Sequence, residues 1–266
     1  MFRIAITLAS LVLLGSCSTE PQISPLARSD LAPTGKLRVG INFGNKLLTA
    51  KDPASGEPRG VAVDLARELA RRVGVPIEIV AFNSAGTMAE AVNTGAWDVA
   101  FLAADPQRAD EISFTAAYAE IEFAYLVPAG SPLRTIADVD REGVRIAIAA
   151  KGAADLFLTS NLRRARLERV PGVAGSFKLF VAEKLDALAG LRPALMTYAE
   201  KLPGSRILDG RLGGVPHAIG TPRGRDAGAK YLRQFVENAK ATGLVTKTIE
   251  NNGARDLSVA PMAAAQ

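Results

Sequence analysis

An arginine follows a short apolar stretch near the middle of the chain. Residues 99–104 form a continuous apolar run, which is typical of a strand buried on both faces. Asp105 and Pro106 end the run, and Arg108 comes two residues later. Ligands of open α/β sheets bind at the carboxyl ends of strands, and a guanidinium presents parallel donors that match a carboxylate. The pattern makes Arg108 a candidate carboxylate anchor, with a surface ion pair as the alternative.

Two positions in the second half of the chain could face the same ligand. Arg192 follows a predicted strand over 187–189, and Gly152 precedes a predicted helix whose N-terminus adds positive potential. We expect a small carboxylate-bearing molecule to be held between Arg108 and Arg192. A salt bridge at the rim between two lobes is the alternative for Arg192.

The loop after the first predicted strand, 36–41, carries polar and aromatic side chains. Asn42 and Asn45 could donate amide hydrogen bonds to a ligand, and Phe43 could supply an apolar wall. The alternative for Phe43 is a place in the hydrophobic core, because large aromatic side chains are usually buried.

Other chemistry has few residues to draw on. His217 is the sole histidine and Cys17 the sole cysteine, so the sequence offers few residues from which a catalytic Ser-His-Asp or Cys-His arrangement could be built. The sequence contains no Gly-x-Ser-x-Gly motif, no P-loop and no metal-spaced cluster of histidine and cysteine. We therefore expect a binding protein with no cofactor and no metal rather than an enzyme.

The predicted elements that position these residues alternate between strand and helix. Strands over 36–41, 76–81 and 99–104 enclose helices, one of which is apolar at every fourth position from Val61 to Val73. This order implies a parallel sheet with right-handed crossovers, and the same alternation resumes after Pro132.

The sequence thus predicts an α/β protein of two parallel-sheet lobes. Two crossing strands near Leu126 and Ile219 would join them, with the ligand in the cleft between. Lobe 1 would comprise 34–126 and 218–252, lobe 2 would comprise 127–217, and 253–266 would be a flexible tail.

The N-terminus indicates export. A charged start and a short apolar core end in Leu14-Gly15-Ser16-Cys17, which resembles a bacterial lipobox. We expect a lipoprotein signal peptide over 1–16, lipidation of Cys17, and a tether over 17–33. The mature protein would then be periplasmic and anchored to a membrane by its lipid.

Composition limits the classes of partner. The 266 residues carry a formal charge of +5 that is spread along the chain, without the basic blocks and interleaved aromatics of a nucleic-acid surface. We expect a monomer that binds no nucleic acid.

Several segments, in a fixed order, resemble the bacterial extracellular solute-binding proteins of family 3, the polar amino-acid type that serves ABC importers. They are Gly35 to Gly40, Gly60 to Leu69, Gly95 to Val99, Arg108 with Ile112 to Tyr118, Gly143 to Ile148 with Gly152, and Leu185 to Ala187. The resemblance implies the type II periplasmic-binding-protein fold, a permease partner, and an arginine at position 108 that grips the ligand's α-carboxylate as the lobes close.

The chain also departs from that family pattern. Ala103 and Asp105 stand where the family usually has hydroxyls, and Ala153-Ala154 replaces a Thr-Thr pair after Gly152. Gly190 or Leu191 occupies the usual place of the acid that pairs with the ammonium. A buried ammonium without a partner is costly, so we expect a ligand other than a standard α-amino acid.

Two alternatives share the fold that the resemblance implies. One is a dehydratase-like enzyme acting on a prephenate-like carboxylate, for which Glu120, Glu122 or Asp155 could serve as the acid. The other is a sensor or accessory protein that binds a ligand without feeding a transporter.

Overall fold

The computed structural model describes residues 21–264. The predicted signal peptide, Cys17 and the first residues of the predicted tether lie outside them. The strands are β1 (Leu37–Asn42), β2 (Ala50–Lys51), β3 (Pro58–Arg59), β4 (Ile77–Phe82), β5 (Val99–Ala103), β6 (Ile112–Phe114), β7 (Ala119–Val127), β8 (Arg145–Ala149), β9 (Arg166–Val170), β10 (Ala187–Leu191), β11 (Arg206–Ile207), β12 (Gly214–Pro222) and β13 (Leu257–Val259). The helices are α1 (Pro25–Leu31), α2 (Val61–Val73), α3 (Ala85–Glu90), α4 (Ile136–Val139), α5 (Ala153–Asn161), α6 (Val173–Ala182), α7 (Arg192–Glu200), α8 (Asp226–Ala241) and α9 (Leu244–Asn251).

Lobe 1 is built on three parallel strands in the order β4, β1, β5, with β12 antiparallel to β5. Helix α2 buries the apolar side chains that recur every fourth residue, and Gly74 ends it in the left-handed conformation. The main core of this lobe lies between the sheet and helices α2, α8 and α9. Helix α3 and Trp97 cover the opposite face of the sheet.

Lobe 2 repeats this plan with the parallel strands β10, β8 and β9. Helix α5 covers one face of its sheet, and α6 and α7 cover the other. Among the described residues, no helix combines the length and the apolar character needed to cross a bilayer.

Strands β7 and β12 join the lobes. Residues 119–122 of β7 pair with β12, whereas Phe123 to Leu126 pair with β10 of lobe 2. The crossing therefore lies between Glu122 and Phe123 on β7, opposite Gly214, the first residue of β12, and Gly213 before it. The sequence predicts the crossing near Leu126 and Ile219, which lie three to five residues further along each strand. The apolar run of β7 continues across the junction, so its sequence shows no break where the pairing partner changes.

The predicted tether is wrong for its last residues. Ser24 caps α1, Leu31 is buried, and the Asp30 carboxylate accepts a hydrogen bond from the backbone N–H of Gly228 on α8 at 2.9 Å. The segment is therefore part of lobe 1, because α1 packs along α8.

The predicted flexible tail is wrong as well. Strand β13 pairs with β7 from Leu257 to Val259, and the Lys240 ammonium donates to the Pro261 carbonyl at 2.7 Å. These contacts hold residues 257–261 against lobe 1.

Candidate functional site

A cavity of about 540 Å³ lies between the two lobes. Lobe 1 contributes the end of β5 and the short 3-10 helix Pro106–Arg108, and lobe 2 contributes Ala153, Leu156 and Phe157 of α5. Both crossing strands complete the lining, through Phe123 and the start of β12. The cavity thus sits at the carboxyl end of β5, where the sequence predicts a ligand.

Arg108 lines this cavity on the lobe 1 side. Its guanidinium donates through Nη1 to the carbonyl oxygen of Ala103 at 3.1 Å. No carboxylate among the described residues forms an ion pair with it. The half-buried cation therefore has a neutral partner and is available to a negatively charged ligand.

Asp105 also lines the cavity, and sequence reasoning did not consider it as a ligand group. Its Oδ1 accepts a hydrogen bond from the backbone N–H of Gln107 at 2.9 Å, which caps the 3-10 helix carrying Arg108. The Asp105-Pro106 pair is the sequence signal that could have predicted this capping role, because this combination is common at helix starts.

The loop after β1 does not bring its side chains to the cavity. Asn42 accepts a hydrogen bond from the backbone N–H of Gly44 at 2.9 Å, and Asn45 accepts one from Leu47 at 3.2 Å. Both amides therefore shape turns of the loop itself. Phe43 is buried in the lobe 1 core, as the alternative interpretation had it, with the Lys51 ammonium 5.6 Å from its ring centroid.

Arg192 is engaged elsewhere. Its Nε donates to the Glu122 carboxylate at 2.8 Å, beside the point where β7 passes from one lobe to the other. This is the salt bridge given as the alternative, and Arg192 is absent from the described lining of the cavity.

The three acids considered for dehydratase chemistry are all paired with arginines. Glu120 bonds to Arg211, Glu122 to Arg192, and Asp155 to Arg169. Burial would raise the pKa of Asp155, but hydrogen bonds from the Lys151 N–H and the Arg169 guanidinium outweigh it and keep that pKa below its usual value. Each carboxylate thus has a structural partner.

Gly152 lies at a second, smaller cavity within lobe 2. It occupies the position before α5 with no side chain to cap the helix, and it lines a space of about 130 Å³. Ala153, the next residue, lines both this space and the cavity between the lobes.

His217 is buried in β12, opposite Ala103 of β5 and Ala119 of β7. Neither ring nitrogen has a hydrogen-bond partner in the described part of the chain. Burial lowers its pKa to about 4, so the ring is neutral at pH 7. It is a core residue of lobe 1.

Comparison with known proteins agrees with this architecture. The sequence pattern of the bacterial extracellular solute-binding proteins, family 3, matches residues 37–253. The chain belongs to that family. This confirms the family suggested by the ordered segments.

Two curated relatives of this solute-binding protein are named for glutamine. The glutamine-binding protein of Geobacillus stearothermophilus is 25% identical over 79% of this chain and 81% of its own. The ABC transporter glutamine-binding protein GlnH of Bacillus subtilis (strain 168) is 22% identical over 90% of this chain and 91% of its own.

The fold of this solute-binding protein is also that of solved structures. An ancestral cyclohexadienyl dehydratase superposes with a TM-score of 0.60 at 22% identity, over 85% of this chain and 95% of the other. At this identity the likeness shows the fold alone, and it confirms the predicted type II periplasmic-binding-protein architecture.

Part of the sequence resemblance is structural rather than ligand-binding. Trp97 is buried and donates through Nε1 to the Met88 carbonyl at 2.8 Å. Asp98 is fully buried and accepts from the guanidinium groups of Arg38 and Arg225, each at 2.8 Å. These contacts hold β5, and hence Arg108 at its end, in place.

Proposed function

We propose that this protein captures a small carboxylate-bearing ligand between its lobes and delivers it to the permease of an ABC importer. The observation that carries the proposal is Arg108, a half-buried cation that lines the cavity and has no carboxylate partner among the described residues. A ligand carboxylate would complete a charge-assisted, two-pronged pair with it.

The size of the cavity and the named relatives support this function. A volume of about 540 Å³ falls within the range of about 300–1,000 Å³ that small-molecule sites occupy. Glutamine, for which the two relatives are named, itself carries a carboxylate. One of those names also specifies an ABC transporter, which supports the delivery step.

We also propose that the ligand has no ammonium group. The lobe 2 wall of the cavity consists of Ala153, Leu156 and Phe157, whose side chains carry neither a negative charge nor a hydrogen-bond acceptor. The carboxylate in the described lining, Asp105, lies on lobe 1 close to Arg108 in sequence, and its Oδ1 caps the 3-10 helix. An ammonium enclosed against the apolar wall would lose its hydration without a matching partner.

Calorimetry with two matched ligands tests both parts. L-Glutamine and its deaminated analogue glutaramate differ in the ammonium alone, and we expect glutaramate to bind more tightly. Arg108→Gln should weaken the binding of either ligand by about 2 kcal/mol, roughly 30-fold, because one charge-assisted pair is lost.

The control variant is Arg233→Gln, which removes an exposed arginine on α8 of lobe 1. It should bind as the wild type does. Unchanged binding by Arg108→Gln would refute the anchor. Tighter binding of L-glutamine, lost in Asp105→Asn, would refute the absence of an ammonium and make Asp105 its partner.

Export, lipidation of Cys17 and the monomeric state stay predictions. The family is one of extracellular proteins, which agrees with the predicted periplasmic location. Because Glu120, Glu122 and Asp155 are all paired with arginines, we assign none of them a catalytic role.

A further inference from the structure

The small cavity of lobe 2 is almost entirely apolar. It lies at the carboxyl ends of β8 and β10, beneath the first turns of α5, α6 and α7. Ile148, Leu188, Leu191 and Leu195 are among the apolar side chains that line it. Two lining residues carry hydroxyls, Ser176 and Tyr198, and the Ser176 hydroxyl donates to the Val173 carbonyl at 2.8 Å, so it does not require a water molecule.

The space exists because small residues surround it. Ala149, Gly152, Ala153, Gly190 and Ala194 all line it, and larger side chains at these positions would fill it. A Cβ atom added at Gly190 would lie 3.5 Å from Leu195, an ordinary contact that the site tolerates. The space opens to solvent beside Val173, and its volume of about 130 Å³ is close to that of an apolar cavity, about 150 Å³, that binds benzene.

This space adjoins the cavity between the lobes. Ala153 borders both, and it is the first residue of α5. Exposed apolar side chains lie on each side of that junction, since Leu156 lines the larger cavity at 64% exposure and Val173 lines the smaller at 49%. Among the described residues, few other large apolar side chains are as exposed, so the wall toward lobe 2 presents an apolar surface to any bound molecule.

We propose that the lobe 2 cavity is a subsite for a phenyl or branched alkyl group of the ligand. The ligand is then an aryl or branched-alkyl carboxylate, with its charged end at Arg108 and its apolar end beyond Ala153. This assignment rests on the proposed function for the charged end. The apolar end depends on the lobe 2 cavity alone.

Acetate, 3-phenylpropanoate and benzene separate these two contributions. Full burial of an apolar group the size of a phenylalanine side chain strengthens binding by roughly 10- to 100-fold, so 3-phenylpropanoate should bind up to about 100-fold more tightly than acetate. Ala194→Leu fills the cavity from α7 and should remove most of that difference while leaving the affinity for acetate within about twofold. Thr197→Leu adds the same side chain to an exposed position of α7 and should behave as the wild type does.

Benzene reports on the cavity without the carboxylate. It should raise the melting temperature of the wild type and of Thr197→Leu but not that of Ala194→Leu. If Ala194→Leu does not fold, Gly190→Ala adds one methyl group to the same space and should reduce both effects.

The outcomes distinguish this inference from the proposed function. If carboxylates bind through Arg108, but their affinity depends neither on the apolar group nor on Ala194→Leu, the subsite alone is overturned. A benzene response that Ala194→Leu abolishes, without binding of any carboxylate, would overturn the proposed function and support the apolar site. The absence of both responses would overturn both.

Discussion

The arginines in and around the cleft differ in whether they pair with a carboxylate of the protein. Arg38 and Arg225 share the buried Asp98, and Arg192 pairs with Glu122. Arg108 instead donates to the carbonyl of Ala103. A guanidinium that already neutralises a carboxylate has little left to offer a ligand, so the partner separates structural arginines from the one that we assign to binding.

His217 predicts how stability depends on pH. Its pKa of about 4 in the folded protein lies below the value of 6.5 for an unperturbed histidine, because burial disfavours the charged ring. The unfolded chain therefore binds more protons between these values, and the free energy of unfolding falls as the pH drops from about 7 to 4. His217 should contribute up to about 3 kcal/mol to that loss.

The variant His217→Leu isolates this contribution by chemical denaturation at several pH values. Its stability at pH 7 should equal or exceed that of the wild type, because the replacement removes two unpaired buried nitrogens. Its stability should fall less on acidification. Ile219→Leu, a change of shape on the same face of β12, should keep the wild-type slope, and an equal slope in His217→Leu would contradict the assignment.

Helix α1 shows how an element with a weak sequence signal becomes part of a lobe. It has seven residues, too few for a stable isolated helix. Its stability comes from the Ser24 cap, from Leu31 in the lobe 1 core, and from the hydrogen bond between Asp30 and Gly228. A polar, proline-containing segment of this kind predicts a tether if only its own residues are considered. Its packing partner, α8, lies nearly 200 residues later in the sequence.

Two leucines of α1 test whether this helix is docked. Leu31 is fully buried, whereas Leu26 is 65% exposed. Leu31→Ala should lower the free energy of unfolding by about 3 kcal/mol, since it opens a cavity between α1 and α8. Leu26→Ala should change it by less than about 0.5 kcal/mol. Equal small effects in denaturant titrations would restore the tether interpretation.

At the scale of the whole molecule, the lobes are linked by two strands and by ion pairs beside them. Arg192 belongs to α7 of lobe 2, and Glu122 is the last residue of β7 that pairs with β12. Arg211, just before β12, forms an ion pair with Glu120, which lies on β7 like Glu122. The ion pairs therefore lie where a hinge motion would bend the chain.

A double-mutant cycle measures how firmly this junction is held. Glu122→Gln and Arg192→Gln should show a coupling of about 1 kcal/mol in the free energy of unfolding, since their side chains are only 21% and 27% exposed. The pair of Lys36 and Glu78, 3.6 Å apart with side chains 59% and 50% exposed, should couple by less than about 0.3 kcal/mol. Equal couplings in the two cycles would mean that the junction pair contributes no more than a surface pair.

The sequence by itself determined the elements and the class of fold. Period-four and continuous apolar patterns are local properties, so α2, β1 and β5 were predictable from short windows. The same local pattern predicted Arg108 at a strand end, and the structure places it at the cavity between the lobes.

The tertiary structure decided which of the candidate side chains are available to a ligand. Asn42 and Asn45 accept hydrogen bonds from backbone groups of their own loop. Arg192 pairs with Glu122, which is 70 positions away in the sequence. Asp105 lines the cavity together with Arg108. The lobe 2 cavity likewise depends on small residues from β8, β10, α5 and α7 meeting in space. Such partners are distant in sequence, and the energy of a polar or apolar side chain depends on what surrounds it after folding, which no local pattern encodes.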